Sequence, residues 1–401
     1  MTVQGITTVK SFFETGDRPT QAQFEDLIDS SMLTSTIFGR TGIIAAVTGD
    51  YLANMITDTS AKVIMTMTER TALAAITKLT PSGGDDTAVV QAAITALAAT
   101  GGVLEFGTGT FVFTTALTST CAGAISFVGE GARQTIFRFD GGISGLSITY
   151  STLIERPEIK GISFVTTTFA TGTALEITSP SSASTTTPGV LIEDVIVRGS
   201  DTSVDCWLKG IRLVNCWNAV LHKIGIKGLD DATSPFDQTQ GIELIDCPDN
   251  TIDKAYIYHT ENCVRVAGSG GSGGGDGLKV SDFIFVGVTN GIVVDRPPTC
   301  TGFWATDGHI NAYTRGLKLT NTRQFQIADL ELYKTALSSN GWEGIELTSS
   351  DYGFVHDCTI SCPGVTDVSA FSIGVGVSDT AHSTFSNLSG QFWVPSGSSF
   401  V

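Results

Sequence analysis

Charged residues are scarce in this 401-residue chain, where Asp, Glu, Lys and Arg together make up 16%. That scarcity, with 45 Gly and many Ser and Thr, disfavours a mainly helical protein and suits a β-rich extracellular or virion protein. Basic residues are scarcer still: 23 Lys and Arg stand against 40 Asp and Glu, for a net charge of −17. Such a surface repels phosphate backbones, which excludes nucleic acid as a partner and leaves an uncharged polymer such as polysaccharide easier to accommodate. No apolar run reaches the ~18 residues that a membrane span requires. The opening Met1-Thr-Val-Gln-Gly5 lacks the basic and apolar pattern of a secretion signal, so export inside an assembled particle or by lysis is expected. None of the eight cysteines forms a CxxC pair, and the five histidines do not cluster with them, which disfavours zinc. One acid in the run Gly274-Gly-Asp276-Gly is too few for calcium. No metal and no cofactor is expected.

What the chain has is a repeat. From about residue 190 to 378 two phrases alternate. One is Gly-apolar-x-apolar, as Gly210-Ile-Arg-Leu213, Gly241-Ile-Glu-Leu244, Gly291-Ile-Val-Val294, Gly316-Leu-Lys-Leu319, Gly344-Ile-Glu-Leu347 and Gly374-Val-Gly-Val377, with Cys263-Val-Arg-Val266 as the version lacking Gly. The other is a polar residue with apolar residues at +1 and +3, led by Asp194, Lys223, Lys254, Asp282, Asp307, Asp329 and Asp357. The spans 210 to 223, 241 to 254, 316 to 329 and 344 to 357 are each 13 residues, and 254 to 263, 282 to 291 and 307 to 316 are each 9. The minimal coil is therefore ~22 residues, and anything longer is an insertion at a turn. Strands this short cannot bury a face alone. Stacked ~4.8 Å apart, they form a continuous parallel sheet around a dry core. The expected fold is all-β: a right-handed parallel β-helix. The fixed place of the Asp ladder before each strand gives it a turn-forming rather than a catalytic use.

The rest of the chain divides around that repeat. Residues 1–80 read as a small mixed adaptor, with short helical phrases at Pro19–Ile28 and Met67–Ile76. Residues 81–390 are the expected β-helix, and 391–401 a C-terminal tail. Asp85 or Asp86 is placed to cap a helix within 86–100 that Gly101 ends, with Val90, Ile94 and Leu97 as its apolar stripe. Such a helix would close the open end of the solenoid. Ser179–Pro188 and Ser269–Gly277 are polar and glycine-rich turn insertions. Cys216 and Cys247 hold the same place in neighbouring coils, as a stacked pair of small buried residues or as a disulfide.

Gly16-Asp-Arg-Pro-Thr-Gln-Ala-Gln-Phe24, Phe38-Gly-Arg-Thr-Gly42 with Gly49-Asp-Tyr51, and Thr68-Glu-Arg-Thr71, in that order, resemble the opening of phage tail-fibre and tailspike proteins. Asp85-Asp-Thr-Ala-Val-Val-Gln-Ala-Ala-Ile94 with Gly101-Gly-Val-Leu-Glu-Phe106 is similar to the entry of the pectate-lyase-like β-helix of phage tailspikes. Gly107-Thr-Gly109-Thr-Phe111 departs mildly from the usual phrase. The resemblance implies a virion tail protein, a homotrimer, that docks on other tail or baseplate proteins through residues 1–80. It also implies that the protein binds host surface polysaccharide as receptor. Whether it depolymerises that polysaccharide is open, as is a purely structural or adhesive fibre.

Insertions locate the candidate site. After the polar residue the spacing exceeds 9 at Asp194, Lys223, Asp329 and Asp357, and is minimal at Lys254, Asp282 and Asp307. Long loops should therefore flank a trough about three coils, or ~15 Å, wide. Alignment puts Tyr256, Ile284, His309 and Glu331 in one outward column and Tyr258, Val286, Asn311 and Tyr333 in the next. Tyr313 and Arg315 fall near the turn, and Trp342 on the far wall. Aromatic faces with amides and carboxylates suit carbohydrate, so Tyr256, Tyr258, Asn311, Tyr313, Arg315, Tyr333 and Trp342 are the expected substrate contacts. Glycoside hydrolysis needs two carboxylates, ~5–5.5 Å apart for retention or ~6.5–9.5 Å for inversion. Glu331, Glu343, Glu261 and Asp237 are the candidate acids, and His309 is placed to pair with Glu331. Hydrolysis stands ahead of a lyase reaction, which would instead draw on Arg315 with His309 or Tyr313.

Overall fold

The computed structural model describes residues 78–152, 156–180, 189–230, 236–268, 276–295, 301–335, 342–361, 374–375, 383–386 and 388–390. The expected adaptor up to residue 77, the tail 391–401 and the 269–275 run lie outside the described residues.

The described chain is a parallel β-helix entered through one helix. Two stacks of strands run along most of it. The first holds Glu158–Thr166, Leu191–Gly199, Val220–Lys227 and Thr251–Tyr258, the first halves of Leu278–Asp295 and Thr301–Thr320, and Arg323–Lys334. The second holds Thr171–Thr178, Trp207–Val214, Gln240–Ile245 and Asn262–Ala267, the second halves of the two long strands, and Glu343–Thr348. Every pairing is parallel and joins like positions of successive coils, as a constant repeat requires.

The polar ladder explains the bend in each strand of the first stack. Asp194, Lys223, Lys254, Asp282, Asp307, Asp329 and Asp357 all adopt φ between 49° and 56°. Gly161 occupies the same column one coil earlier at φ 65°. The left-handed conformation turns the chain, and short polar residues tolerate it best. Hydrogen bonding by the side chain is secondary: Asp194 accepts from the Ala132 N–H at 3.0 Å, but Lys223 and Lys254 cannot accept at all. After the bend the +1 and +3 residues point inward, and Val195, Val197, Ile224, Ile226, Ala255, Ile257, Phe283, Phe285, Leu330, Leu332, Cys358 and Ile360 are buried. Gly308 stands at +1 in its own coil because the Phe283 ring fills the space: a Cβ there would sit 2.1 Å from Phe283 Cζ.

The glycine phrase has a different cause. A Cβ at Gly210, Gly291 or Gly316 would come within 2.4 Å of the carbonyl oxygen of the matching residue in the next coil. The glycines mark close approach between coils at a corner, not a special φ.

The closing helix spans Thr87–Leu97 and buries Val90 and Ile94. Asp86 holds the N-cap position, but its carboxylate accepts from the N–H of Ser82 and of Val112 at 2.9 and 3.1 Å. Asp85 supplies the local cap, accepting from the Thr87 N–H at 2.9 Å and the Thr114 hydroxyl at 2.7 Å. Gly101, at φ 74°, ends the turn by donating to the Leu97 carbonyl at 2.7 Å. Hydrogen bonds from Thr87 and then Thr114 hold the Asp85 carboxyl at about 2, below its ordinary 3.8. A depressed folded-state value means that the stabilisation is complete above about pH 4 and is lost as pH falls toward 2. Amide protection factors at the start of the helix, referenced to intrinsic exchange at each pH, should fall between about pH 4 and 2, and Asp85→Asn should remove that step.

Phenylalanines fill the first coils. Phe111, Phe137 and Phe164 stack in register, with Phe106, Phe113, Phe127, Phe139 and Trp207 around them, all buried. Cys216 and Cys247 are both buried free thiols, the Cys216 N–H donating to Cys247 Sγ at 3.3 Å. The stacked-residue reading of that pair holds, and the disulfide reading does not. Among the described residues no helix is long and apolar enough to cross a membrane.

Candidate functional site

The coils with minimal spacing turn from the first stack into the second within a few residues. Tyr258 is followed by a strand starting at Asn262, and Leu278–Asp295 and Thr301–Thr320 pass the corner as single long strands. The adjoining coils carry longer connections, Gly228–Thr239 and residues 335–342, of which 231–235 and 336–341 lie outside the described residues.

The register brings together the columns expected from sequence. Tyr256, Ile284, His309 and Glu331 are successive partners, as are Tyr258, Val286, Asn311 and Tyr333. Tyr256 is 40% exposed. His309 Nδ1 lies 3.4 Å from Glu331 Oε2, and the imidazole leans over the Tyr333 ring at 5.3 Å between centroids. The Asn311 Oδ1 accepts from the Thr335 hydroxyl. A tyrosine, a histidine, an amide and a carboxylate thus share one open face, each on a rigid strand.

At the corner beside this face lies a cluster in which Glu261 and Tyr313 were expected and Phe236 was not. His259 adopts φ 55° and lies parallel to the Phe236 ring at 5.9 Å. Its Nδ1 is 3.3 Å from Asp230 Oδ1, misaligned for a hydrogen bond, so the contact is electrostatic. Phe236 also meets Tyr313 at 5.7 Å, and its N–H points to Glu261 Oε2 at 3.4 Å. Glu261 Oε2 accepts from the Thr289 hydroxyl at 2.6 Å. Glu261 and Tyr313 therefore brace the corner. The insertion at 229–240 was the available signal, but nothing in its residues gave the phase of Phe236.

Three sequence-predicted residues fall elsewhere. Trp342 is fully buried and offers no face to a sugar, which corrects its expected place on the trough wall. Arg315 and Glu343 belong to the outward face of the second stack, with Arg315 Nε 2.9 Å from Glu343 Oε2 and 2.5 Å from Glu346 Oε2. Burial, then the hydrogen bond with Glu346, raises the Glu343 carboxyl above its ordinary value, with Arg315 opposing. Burial works against ionising Glu346 too, but bonds with Glu343 and Lys318 and the Arg315 charge bring it below its ordinary value. Asp237 is half-buried on the loop before Gln240–Ile245. The four candidate acids thus occupy different places on the coil, and no two share an outward column.

No family model matches the sequence, and no curated protein matches it. The tailspike protein of E. coli bacteriophage HK620, a mutant solved in complex with a hexasaccharide, aligns over 85% of this chain and 68% of its own, at 12% identity and a TM-score of 0.50. The enzymatically active domain of tailspike protein 2 of bacteriophage CBA120 aligns over 78% of this chain and 46% of its own (11% identity, TM-score 0.49). The A-module of an Azotobacter vinelandii mannuronan C-5 epimerase aligns over 80% and 98% (13% identity, TM-score 0.48). At such identities the likeness is one of fold, resting on the first of the three: the chain has a tailspike-like parallel β-helix.

Proposed function

We propose that this protein is a phage tailspike or short tail fibre that binds host surface polysaccharide along the trough lined by Tyr256, Tyr258, His309, Asn311, Glu331 and Tyr333. The carrying observation is that aromatic and polar side chains fall into register on the coils whose corners lack insertions and on the coil that follows them, Arg323–Lys334. Sugar rings present flat apolar faces to tyrosines and hydroxyls to amides and carboxylates. Residues 1–80 attach the spike to the virion tail, and 81–390 form the polysaccharide-binding shaft with its closing helix. The working form is a homotrimer, by analogy with tailspikes.

Binding without cleavage is the reading the site favours. Glu331 is the one candidate acid in the trough columns, and its side chain is 61% exposed beside His309. The acid of a hydrolase normally lies in an apolar pocket, and Glu331 does not. Incubation of the purified protein with host capsular polysaccharide or lipopolysaccharide tests this. The expected result is retention of the polysaccharide on the protein, without new reducing ends and without the ultraviolet absorbance of an unsaturated uronate. Steady release of reducing ends that Glu331→Gln abolishes would establish a hydrolase instead. No retention from any host would remove the receptor reading.

A further inference from the structure

The central outward column of the second stack alternates in charge. In register it reads Glu176, Arg212, Glu243, Arg265, Val293, Lys318, Glu346. Parallel neighbours lie ~4.8 Å apart, so each charge meets its opposite. Arg212 Nη1 lies 3.1 Å from Glu176, and its Nε 3.1 Å from Glu243 in a contact too misaligned for a hydrogen bond. Arg265 lies 3.4 Å from Glu243, and Lys318 3.2 Å from Glu346. The alternation breaks once, at Val293, where an acid would complete it. Arg265 and Lys318 are therefore separated by two coil spacings, ~9.6 Å, with Val293 between them in this column and Asp295 two residues further along the same coil.

That vacancy is a real depression. It encloses about 480 Å³, and Asn262, Asn290, Val293 and Thr320 line it together with Arg265 and Lys318. Asn290 is only 9% exposed. Its Nδ2 donates to Asn262 Oδ1 at 3.0 Å, while its Oδ1 has no hydrogen-bond partner among the described residues, and neither has the Thr320 hydroxyl. Buried polar atoms are ordinarily satisfied, so two orphans beside two separated cations mark a place where a ligand supplies the missing groups. Cations lining the depression outnumber anions, Arg265, Arg315 and Lys318 against Asp295 and Glu346, on a chain of net charge −17.

We propose that this depression is a second saccharide site, selective for an acidic sugar whose carboxylate takes the place of the missing acid between Arg265 and Lys318. The sugar hydroxyls face the polar wall of Asn262, Asn290 and Thr320, and Val293 forms an apolar floor for the ring. A neutral sugar would leave Arg265 and Lys318 each with an acid on one side only, Glu243 and Glu346. The site lies on the second stack, apart from the trough of the first, and does not depend on the trough being a receptor site.

Calorimetric titration of the full chain tests it, with oligomers of galacturonate, glucuronate and mannuronate against a neutral galactose oligomer. At least one uronate should bind, more weakly as salt rises, and the neutral oligomer should not bind here. Val293→Glu supplies the missing acid from the protein itself. It should weaken uronate binding by about ten-fold or more, the effect of losing a charge-assisted hydrogen bond, with the melting temperature unchanged or raised. Lys318→Gln should weaken binding similarly, and Val293→Ala should not. Uronate binding unaltered by Val293→Glu, or no uronate binding by the wild-type chain, overturns the proposal. So does a change of oligomeric state in Val293→Glu without a change in saccharide binding, which would mark the face as a contact between copies of the chain.

Discussion

Phe137→Ala should destabilise the β-helix by about 3–5 kcal/mol, the usual consequence of removing a buried ring from a core that cannot collapse around the cavity. Phe137 is fully buried. Its ring centroid lies 4.7 Å from Phe106, 5.7 Å from Phe111, 5.2 Å from Phe113 and 5.8 Å from Phe164. All four contacts are with the coils before and after its own, so the backbone of one coil cannot relax inward without disturbing the ladder hydrogen bonds of two others. At roughly 2–4 °C per kcal/mol for a domain of this size, the melting midpoint should fall by about 6–20 °C. Phe354→Ala is the control: that side chain is 56% exposed, and its loss should stay within about 0.5 kcal/mol. Equal midpoints for the two variants, by calorimetry at one scan rate, would show that the first coils do not hold a close-packed aromatic core.

The second large effect concerns the trough. Tyr256→Ala combined with Tyr333→Ala should reduce polysaccharide retention by about 100-fold, taking each stacked ring as roughly 1–1.5 kcal/mol and the two sites as nearly additive because they stand on non-adjacent coils. The folded state should change little, since Tyr256 is largely exposed and Tyr333 packs on His309. The measurement is equilibrium binding of host polysaccharide together with the melting midpoint. A loss of binding that tracks a loss of stability would make the tyrosines structural. Intact binding by a stable double variant would move the receptor site off the trough.

Much of the fold was legible because a solenoid repeats its constraints. Seven polar residues at the same place in each coil all proved to hold the left-handed bend, and Gly210, Gly241, Gly291 and Gly316 proved to sit where coils touch. The pairing of His309 with Glu331 followed from the same register. The phase was lost wherever the repeat was interrupted. Trp342 lies at the end of a long connection, and nothing in the sequence there said that its ring turns inward, where a Cβ on Gly344 would meet it at 3.4 Å. Arg315 was expected near the turn and Glu343 on the far wall, yet each directly precedes a corner glycine and so belongs to the second stack. The charge ladder of that stack was visible in the sequence as the variable residue of each Gly-apolar-x-apolar phrase, but only the pairing of strands turns those letters into adjacent charges.

A crystal structure of the protein with a fragment of host polysaccharide tests the central claim most directly. The account predicts sugar rings running across the coils of Thr251–Tyr258, Leu278–Asp295, Thr301–Thr320 and Arg323–Lys334, with rings against Tyr256 and Tyr333 and hydroxyls on His309 and Asn311. Ordered sugar bound only away from these two columns would contradict it.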